Sequence, residues 1–266
     1  MKRIFLQILV LVTVTTVQAQ QKEGKVIYER TMQMQMRMQG MNDEMERLIP
    51  RTRTDKFELN FANNQSVWKQ AEQENQDDDI QGEGGMQIRM VVAGSDDLLY
   101  NNFATSKRLE LRELFDKKFL IEDSIRPLKW KMTGETRSIL GHNCMKATAV
   151  NITRRMVMNM DIGKMERKEI DDTANIIAWF TTDIPVSAGP GEYQGQLPGL
   201  ILEMDVANGR QVFRALEISP KPDLASIKEP QAKKKYTPEE FRKERDKMME
   251  EMQRNNQGGN RVIRMN

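Results

Sequence analysis

Strict alternation of apolar and polar side chains is the feature that most constrains how this chain can fold. Residues 25–39 read KVIYERTMQMQMRMQ, and every second residue from 32 to 38 is methionine. On a β-strand, successive side chains point to opposite faces, so the pattern puts the thioethers on one face and Gln and Arg on the other. Methionine has no strong strand preference, so the alternation must serve whatever this face contacts. The pattern predicts a long amphipathic strand.

Two further segments repeat the same alternation with methionine on the apolar side. They are RRMVMNMDI at 154–162 and MQIRM at 86–90. Because all three segments share one period and one kind of apolar side chain, we expect them to line a common surface whose polar partners face water. The candidate ligand-binding residues are Met32, Met34, Met36, Met38, Met86, Met90, Met156, Met158 and Met160.

The rest of residues 24–220 also reads as strands separated by turn residues. Residues 53–70 are typical of a hairpin that turns at Asn63-Asn64, since asparagine tolerates the left-handed conformation. A second hairpin is indicated around Ala207-Asn208-Gly209, where Asn-Gly stands between two apolar alternations. Closely spaced strands of this kind predict a mainly β fold, an antiparallel meander forming an open barrel or a sandwich.

A hydrophilic insert at 71–85 interrupts this domain before the strand pattern resumes at 86–94. The insert holds Asp77-Asp78-Asp79 and Glu83, and carboxylate oxygens are ligands that calcium prefers. The stretch lacks the alternating ligand spacing of a calcium loop, so the sequence favours a solvated hairpin loop.

The composition changes after Pro220. Residues 221–236 are rich in Lys and Pro and are interpreted as a linker. Thr237-Pro238-Glu239-Glu240 is a capping box with proline at the first helical position, which predicts a charged helix over 237–254. Its apolar stripe is narrow, which favours a solvated helix in a mobile tail over a docked one. Residues 255–266 are expected to be disordered.

The N-terminus predicts export. In MKRIFLQILVLVTVTTVQAQ, two basic residues precede a short apolar stretch and a small-residue cleavage site, so residues 1–19 are interpreted as a signal peptide and not as a membrane span. The expected location is periplasmic or secreted, without a transmembrane anchor. Without residues 1–19 the chain has 39 basic and 39 acidic residues, a balance that argues against nucleic-acid binding. The sequence leaves the oligomeric state open.

A search for catalytic residues favours a non-enzymatic protein with no cofactor and no metal centre. His142 is the single histidine and Cys144 the single cysteine, so no intramolecular disulfide forms. The two residues share a strand face at ~6–7 Å between Cα atoms, too far for a ready nucleophile–base hydrogen bond. One histidine and one cysteine also cannot fill a zinc site by themselves. A buried, inert thiol is the expected state of Cys144.

Residues 178–205, AWFTTDIPVSAGPGEYQGQLPGLILEMD, resemble the loop-to-strand motif of the bacterial GLPGLI family. Tyr28 in the first strand and the stretch 125–148 stand in the same order as in that family. Gln196 occupies the position of the motif's usual first glycine, and Gly195 could serve part of the same turn. The resemblance implies an exported, predominantly β domain whose biochemical role is unassigned. A half-open barrel like that of bacterial lipoprotein carriers is an analogy at the level of the fold.

Three interpretations of the methionine face stay open at this point. Methionine is unbranched and adaptable, so the face could fill an irregular core. It could instead line a concave cavity for an apolar small molecule, a lipid or an exported peptide segment. It could also capture a soft metal, because thioethers select Cu(I) and, by the same softness, Ag(I). The function we expect is hydrophobic ligand or partner binding on this face, with periplasmic Cu(I)/Ag(I) binding as the alternative.

Overall fold

A computed structural model describes six parts of the chain: residues 21–33, 51–71, 79–81, 87–89, 97–161 and 164–258. Within them the backbone alone is described for residues 79–81, 87–89, 153–161, 164–171, 252–253 and 255–258. The predicted signal peptide and the methionines at 34, 36, 38, 86 and 90 therefore lie outside the described residues, as does most of the predicted C-terminal tail.

The described residues form fourteen strands, a short 3₁₀ helix (Gly191–Tyr193) and one α-helix, α1 (Pro238–Gly258). The strands are β1 (Gly24–Gln33), β2 (Thr52–Ala62), β3 (Gln65–Gln70), β4 (Asp79–Gln81), β5 (Gln87–Arg89), β6 (Leu98–Asn102), β7 (Lys107–Leu114), β8 (Lys117–Ser124), β9 (Lys131–Ile139), β10 (His142–Asp161), β11 (Lys164–Thr181), β12 (Leu200–Val206), β13 (Gln211–Ser219) and β14 (Lys235–Tyr236).

Twelve of these strands form one sheet in the order β14-β8-β7-β6-β3-β2-β1-β13-β12-β11-β10-β9. Every neighbouring pair is antiparallel except β14 and β8. The sheet begins at β14 and ends at β9 without closing into a barrel. The predicted fold class, a mainly β antiparallel structure with a helix near the C-terminus, is confirmed. β4 and β5 pair with each other in a separate two-stranded sheet. Of the strand pattern predicted at 86–94, the structure describes residues 87–89, which form β5.

Both predicted hairpin turns are present. The residues within each turn explain its backbone conformation. Asn63 and Asn64 have φ values of 51° and 59°. Ala207, Asn208 and Gly209 have φ values of 56°, 55° and 83°, and the Asp205 carboxylate accepts the Gly209 N–H at 2.6 Å. Asparagine and glycine adopt this left-handed region at little cost, which is why these dipeptides turn the chain here.

The main core lies on one face of the sheet, which we call the inner face. It joins buried side chains from β1, β2, β3 and β6 with others from β10 to β13, so the sheet curves around them. Residues 182–199, which we call the strap, run across this face between β11 and β12. The strap contributes Ile184, Val186, Ala188, Tyr193 and Leu197 to the same core.

The C-terminal segment packs on both faces of the sheet. Asp223 donates its backbone N–H to Asn60 at 2.9 Å, and Lys107 pairs with Glu229 at 2.5 Å. The predicted capping box forms: the Thr237 N–H bonds to Glu240 at 2.8 Å, and the Glu240 N–H to the Thr237 hydroxyl at 3.2 Å. α1 is docked at its first turn, because Phe241 is buried against Phe119 and Ile121 of β8. The prediction of a wholly solvated helix is wrong at this point.

β10 and β11 continue beyond the sheet as a two-stranded ribbon. They pair without interruption from Met145 with Phe180 to Asp161 with Lys164, whereas β9 pairs with β10 only as far as Thr148. Val150 and Ile152 are exposed at the base of this ribbon. In the described part of the chain, no helix combines the length and the hydropathy that crossing a bilayer requires.

Candidate functional site

The inner face carries a cavity of about 400 Å³ between the central strands and the strap, which we call the main cavity. Its walls come from β1, β2, β3, β6, β7 and β13, and one side is formed by strap residues 191–193. These elements are far apart in the chain, and the sheet order brings them together. A cavity of this size is within the range of small-molecule binding sites.

Aromatic rings form the floor of this cavity. Phe57 of β2 stacks on Trp68 of β3 with ring centroids 4.9 Å apart and planes 8° apart. Phe213 of β13 meets Trp68 edge-on at 6.0 Å. Alternation along each strand directs these side chains to the inner face, where cross-strand register makes them neighbours. Trp68 and Phe213 are 7% and 4% exposed, so the floor is a packed aromatic cluster with a small apolar area open to the cavity.

Four arginines surround the floor, and three of them are held by carboxylates. Arg30 and Arg53 bind the two oxygens of buried Asp55 at 2.8 and 2.9 Å. Arg30 also lies over the Phe57 ring, with its guanidinium carbon 4.5 Å from the centroid. Arg112 binds Glu110 through Nη2 at 2.5 Å and Nε at 2.7 Å.

The fourth arginine is Arg108 of β7. It faces Glu110 at 3.8 Å and Glu192 of the strap at 3.9 Å. These are ion pairs without a hydrogen bond, since N–H···O bonds in proteins are rarely longer than about 3.2 Å.

Two titratable groups in the cavity wall are altered by their surroundings. Burial raises the pKa of Asp97, with Glu110 and Glu113 adding to this effect, while Arg112 and the backbone N–H of Glu113 oppose it. Burial also raises the pKa of the Tyr193 hydroxyl well above its ordinary value, so the ring enters the wall in its neutral form.

The strap is fastened by the side chains of two glutamines, one to β3 and one to the segment between β8 and β9. Gln194 is buried and accepts a hydrogen bond from the Ser66 hydroxyl of β3 at 2.6 Å. Gln196 accepts from the Leu128 N–H at 3.0 Å and from the Trp130 indole N–H at 3.1 Å. Gly195 between them has a φ of 75°, so the glycine does serve the turn, as the sequence suggested. Gln196 at the position of the usual glycine is thus an anchor of the strap.

Two smaller cavities share lining residues with the first. One of about 360 Å³ lies between β7, β8 and the first turns of α1, where Phe241 and Arg242 contribute. Another of about 240 Å³ is lined by Tyr193, Gln196 and residues 123–128. Arg108 and Glu192 line all three cavities, so this pair lies where they meet.

Among the predicted methionine sites, the structure describes the side chain of Met32 alone. Its sulfur lies 3.9 Å from the Gln211 Nε2 amide, and Gln211 lines the main cavity. The strand register relates Met32 to β10. Met32 is level with Ala149 of β10, because Met32 pairs with Gln211, Gln211 with Val206, Val206 with Ile176, and Ile176 with Ala149. Met156 is therefore about 24 Å further along the strand direction, at roughly 3.4 Å per residue.

Met156, Met158 and Met160 lie on the β10–β11 ribbon, paired with Glu169, Arg167 and Met165. The strand directions place the C-terminal ends of β1 and β3 at the end of the sheet beyond which β10 extends. β1 ends there at Gln33, β3 ends there at Gln70, and β10 extends beyond that same end. The backbone of Met32 and those of the ribbon methionines are nevertheless far apart. The copper alternative rests on methionine side chains beyond those described and stays a prediction.

His142 and Cys144 do not contact each other through the imidazole and the thiol. The His142 Nδ1 lies 3.4 Å from Asp183 at the start of the strap, a partner 41 residues away that the sequence did not reveal. The Cys144 thiol is buried and donates to the His142 backbone carbonyl at 3.7 Å. Burial raises the pKa of this thiol to about 11. The environment therefore disfavours the thiolate that a nucleophilic cysteine requires.

The acidic run predicted to be a solvated loop lies at the edge of the described part, and the side chains of Asp77, Asp78, Asp79 and Glu83 are outside it. In the part that is described, no three His, Cys, Asp or Glu side chains come close enough together to hold one metal ion.

Comparison with known proteins gives one family match. Residues 130–203 match the model of a family described as "Protein of unknown function (Porph_ging)". This range runs from the start of β9 through the strap into β12. No curated protein sequence matches the chain. A solved structure of PNGF-II in the C2 space group is similar at 15% sequence identity and a TM-score of 0.48, covering 85% of this chain. The match spans 32% of the length of PNGF-II, about a third of it.

Proposed function

We propose that this protein is an exported, non-enzymatic binding protein that holds an apolar small molecule or lipid in the main cavity of the inner face. The observation that carries the proposal is the aromatic floor of Phe57, Trp68 and Phe213 beneath a cavity of about 400 Å³. The lining is mixed, with aromatic rings beside several charged side chains, and polar groups that converge on an apolar surface are usual in ligand-binding sites.

The strap supports this proposal because it separates the cavity from bulk water on one side. It is fastened at Gln194 and Gln196, and its residues 191–193 face the cavity. Of the methionine face, Met32 contacts the cavity wall through Gln211. The binding surface proposed here is thus aromatic and arginine-lined, with one methionine at its border.

The export part of the proposal rests on the basic–apolar–small order of residues 1–19. The non-enzymatic part is supported by the buried Cys144 thiol and its raised pKa. We further propose that the chain is of the GLPGLI type, on the strap sequence and on Tyr28 in the first strand. The hydroxyl of Tyr28 donates to Ile201 at the end of that motif.

The test is titration of the purified protein with Nile red, a neutral apolar dye whose fluorescence rises in an apolar site. We expect saturable enhancement with one dye per chain. Gln70→Trp places a large ring in the cavity wall and should weaken binding by about tenfold or more, since it replaces ligand volume. Lys56→Trp, on the opposite face of the neighbouring strand, is the control and should bind like the original protein. The proposal would be contradicted if the dye's fluorescence did not rise with the original protein, or if both variants lost the same amount of dye affinity.

A further inference from the structure

Arg108 is a residue that the three cavities share. It lines all three of them, and its side chain keeps 22% of its surface exposed. A guanidinium carries five N–H donors in a planar fork that matches the two oxygens of a carboxylate. The position gives a ligand in any of the three cavities access to the same charge.

The donors of Arg108 are less committed than those of the other arginines around the floor. Arg30, Arg53 and Arg112 each hold a carboxylate at 2.9 Å or less. Arg108 has carboxylates at 3.8 and 3.9 Å, and among the residues that the structure describes no acceptor lies within hydrogen-bond distance of its guanidinium. Its charge is partly balanced, while its hydrogen-bonding capacity is not used.

A second unused donor lies next to Arg108. Asn101 of β6 pairs with Arg108 across the strands, and on its other side Asn101 pairs with Ser66. Asn101 is 2% exposed, and its Nδ2 has no hydrogen-bond partner among the described residues. A buried amide without an acceptor is costly, and structures that contain one usually have a bound group or water nearby. This donor lies beside Arg108 in the strand register, although Asn101 is not among the residues that line the three cavities.

The charges around Arg108 also limit what can bind. Glu110 and Glu192 approach its Nη2 to 3.8 and 3.9 Å, so a doubly charged phosphate would meet two carboxylates beside a cation whose charge is already partly balanced. A planar group with one negative charge fits better, because it can form two parallel hydrogen bonds to the guanidinium. The aromatic floor then takes the apolar part of the same molecule.

We propose that the ligand of the main cavity is a long-chain carboxylate, with its carboxylate on Arg108 and its alkyl chain against the aromatic floor. This inference rests on the proposed function and specifies its ligand class. Glu192 of the strap is the group that the ligand carboxylate displaces from the neighbourhood of Arg108.

The experiment compares dodecanoate with dodecan-1-ol as competitors of Nile red on the full chain. Both carry the same alkyl length, so the difference between them reports the carboxylate. We expect dodecanoate to displace the dye at concentrations about 10- to 100-fold lower, the effect of hydrogen bonds to a charged group. Arg108→Gln should abolish the difference, and Arg108→Lys should keep part of it because it keeps the charge but loses the fork.

Arg210→Gln is the matched control. It removes the same charge from a turn at the end of the sheet. Arg210 lies away from the cavities there and pairs with Asp172 at a distance of 3.1 Å. It should retain the full preference for dodecanoate, and circular dichroism should show all variants folded. If dodecanoate and dodecan-1-ol compete equally, or if Arg108→Gln keeps the preference, the carboxylate assignment is wrong while apolar binding stands. If neither Nile red nor dodecanoate binds, both proposals are wrong.

Discussion

The hydroxyl of Tyr28 on β1 donates a hydrogen bond of 2.5 Å to the backbone carbonyl of Ile201 on β12, 173 residues later. β13 lies between these two strands in the sheet, so the hydrogen bond spans β13 within the core. Ile201 also donates its own N–H to Ala188 of the strap at 3.0 Å. The first strand is thereby tied to the point where the strap enters the sheet.

Tyr28→Phe should therefore lower the free energy of unfolding by about 1–2 kcal/mol, because it leaves the buried Ile201 carbonyl without this donor. Burial raises the pKa of Tyr28 far above its ordinary value, so the hydroxyl remains a donor over the range in which the protein is folded. Urea unfolding followed by circular dichroism measures the change. Tyr236→Phe, at a half-buried ring on β14, is the control and should change stability by less than about 0.5 kcal/mol. Equal effects would show that the Tyr28 hydroxyl contributes nothing specific.

Gly199 is required by close packing of the strap against β11. A methyl group at this position would overlap with the backbone carbonyl of Thr181. Gly199→Ala should cost about 2–3 kcal/mol or more, because backbone on both sides has to move. Ser187→Ala, also in the strap, is the comparison and should be close to neutral. A Gly199→Ala variant with unchanged stability would mean that the strap does not pack as described.

Asp97 makes stability depend on pH. Because burial raises its pKa in the folded state, the folded protein binds this proton more tightly than the unfolded chain does. The stability that Asp97 contributes by binding this proton is fully present at pH values below the pKa of the unfolded state. It is lost as the pH rises through the pKa of the folded state.

Asp97→Asn keeps an acceptor for the Glu113 N–H but removes the ionisation. The variant should therefore be more stable than the original protein at pH 7 and gain little at pH 3. Thermal unfolding at both values measures this, with the exposed Glu250→Gln on α1 as control. A gain in stability of the same size at both pH values would contradict the raised pKa of Asp97.

Cys144 should be chemically inert while the protein is folded. With its pKa raised to about 11, only a small fraction is thiolate at pH 8, and the side chain is buried. Alkylation by iodoacetamide should be more than about 100-fold slower in the native protein than in urea. Mass spectrometry reads the result without ambiguity, since this is the only cysteine. Rapid native alkylation at pH 7 would mean an activated thiol and would favour an enzyme.

Local chemistry explains what the sequence could predict. The turns at Asn63-Asn64 and Ala207-Asn208-Gly209 depend on the residues within them, and so does the capping box at Thr237. Alternation likewise identifies β1 and β10, because it needs no information from elsewhere in the chain.

The cavity depends on pairs that are distant in the chain. The approach of Arg108 to Glu192, and of Ser66 to Gln194, follows from the sheet order and the course of the strap. Neither pair leaves a local pattern. Gln196 is the instructive case: by resemblance it stands where a glycine is usual, and only the fold shows that its side chain fastens the strap to Leu128 and Trp130.

The most direct test of apolar binding in the main cavity is photolabelling with a neutral alkyl diazirine, followed by peptide mapping. The account predicts that the label attaches around Phe57 and Trp68 and on strap residues 191–193, and that excess dodecanoate suppresses it. Labelling concentrated instead on the exposed Val150 and Ile152 of the ribbon, or labelling that dodecanoate leaves unchanged, would contradict it.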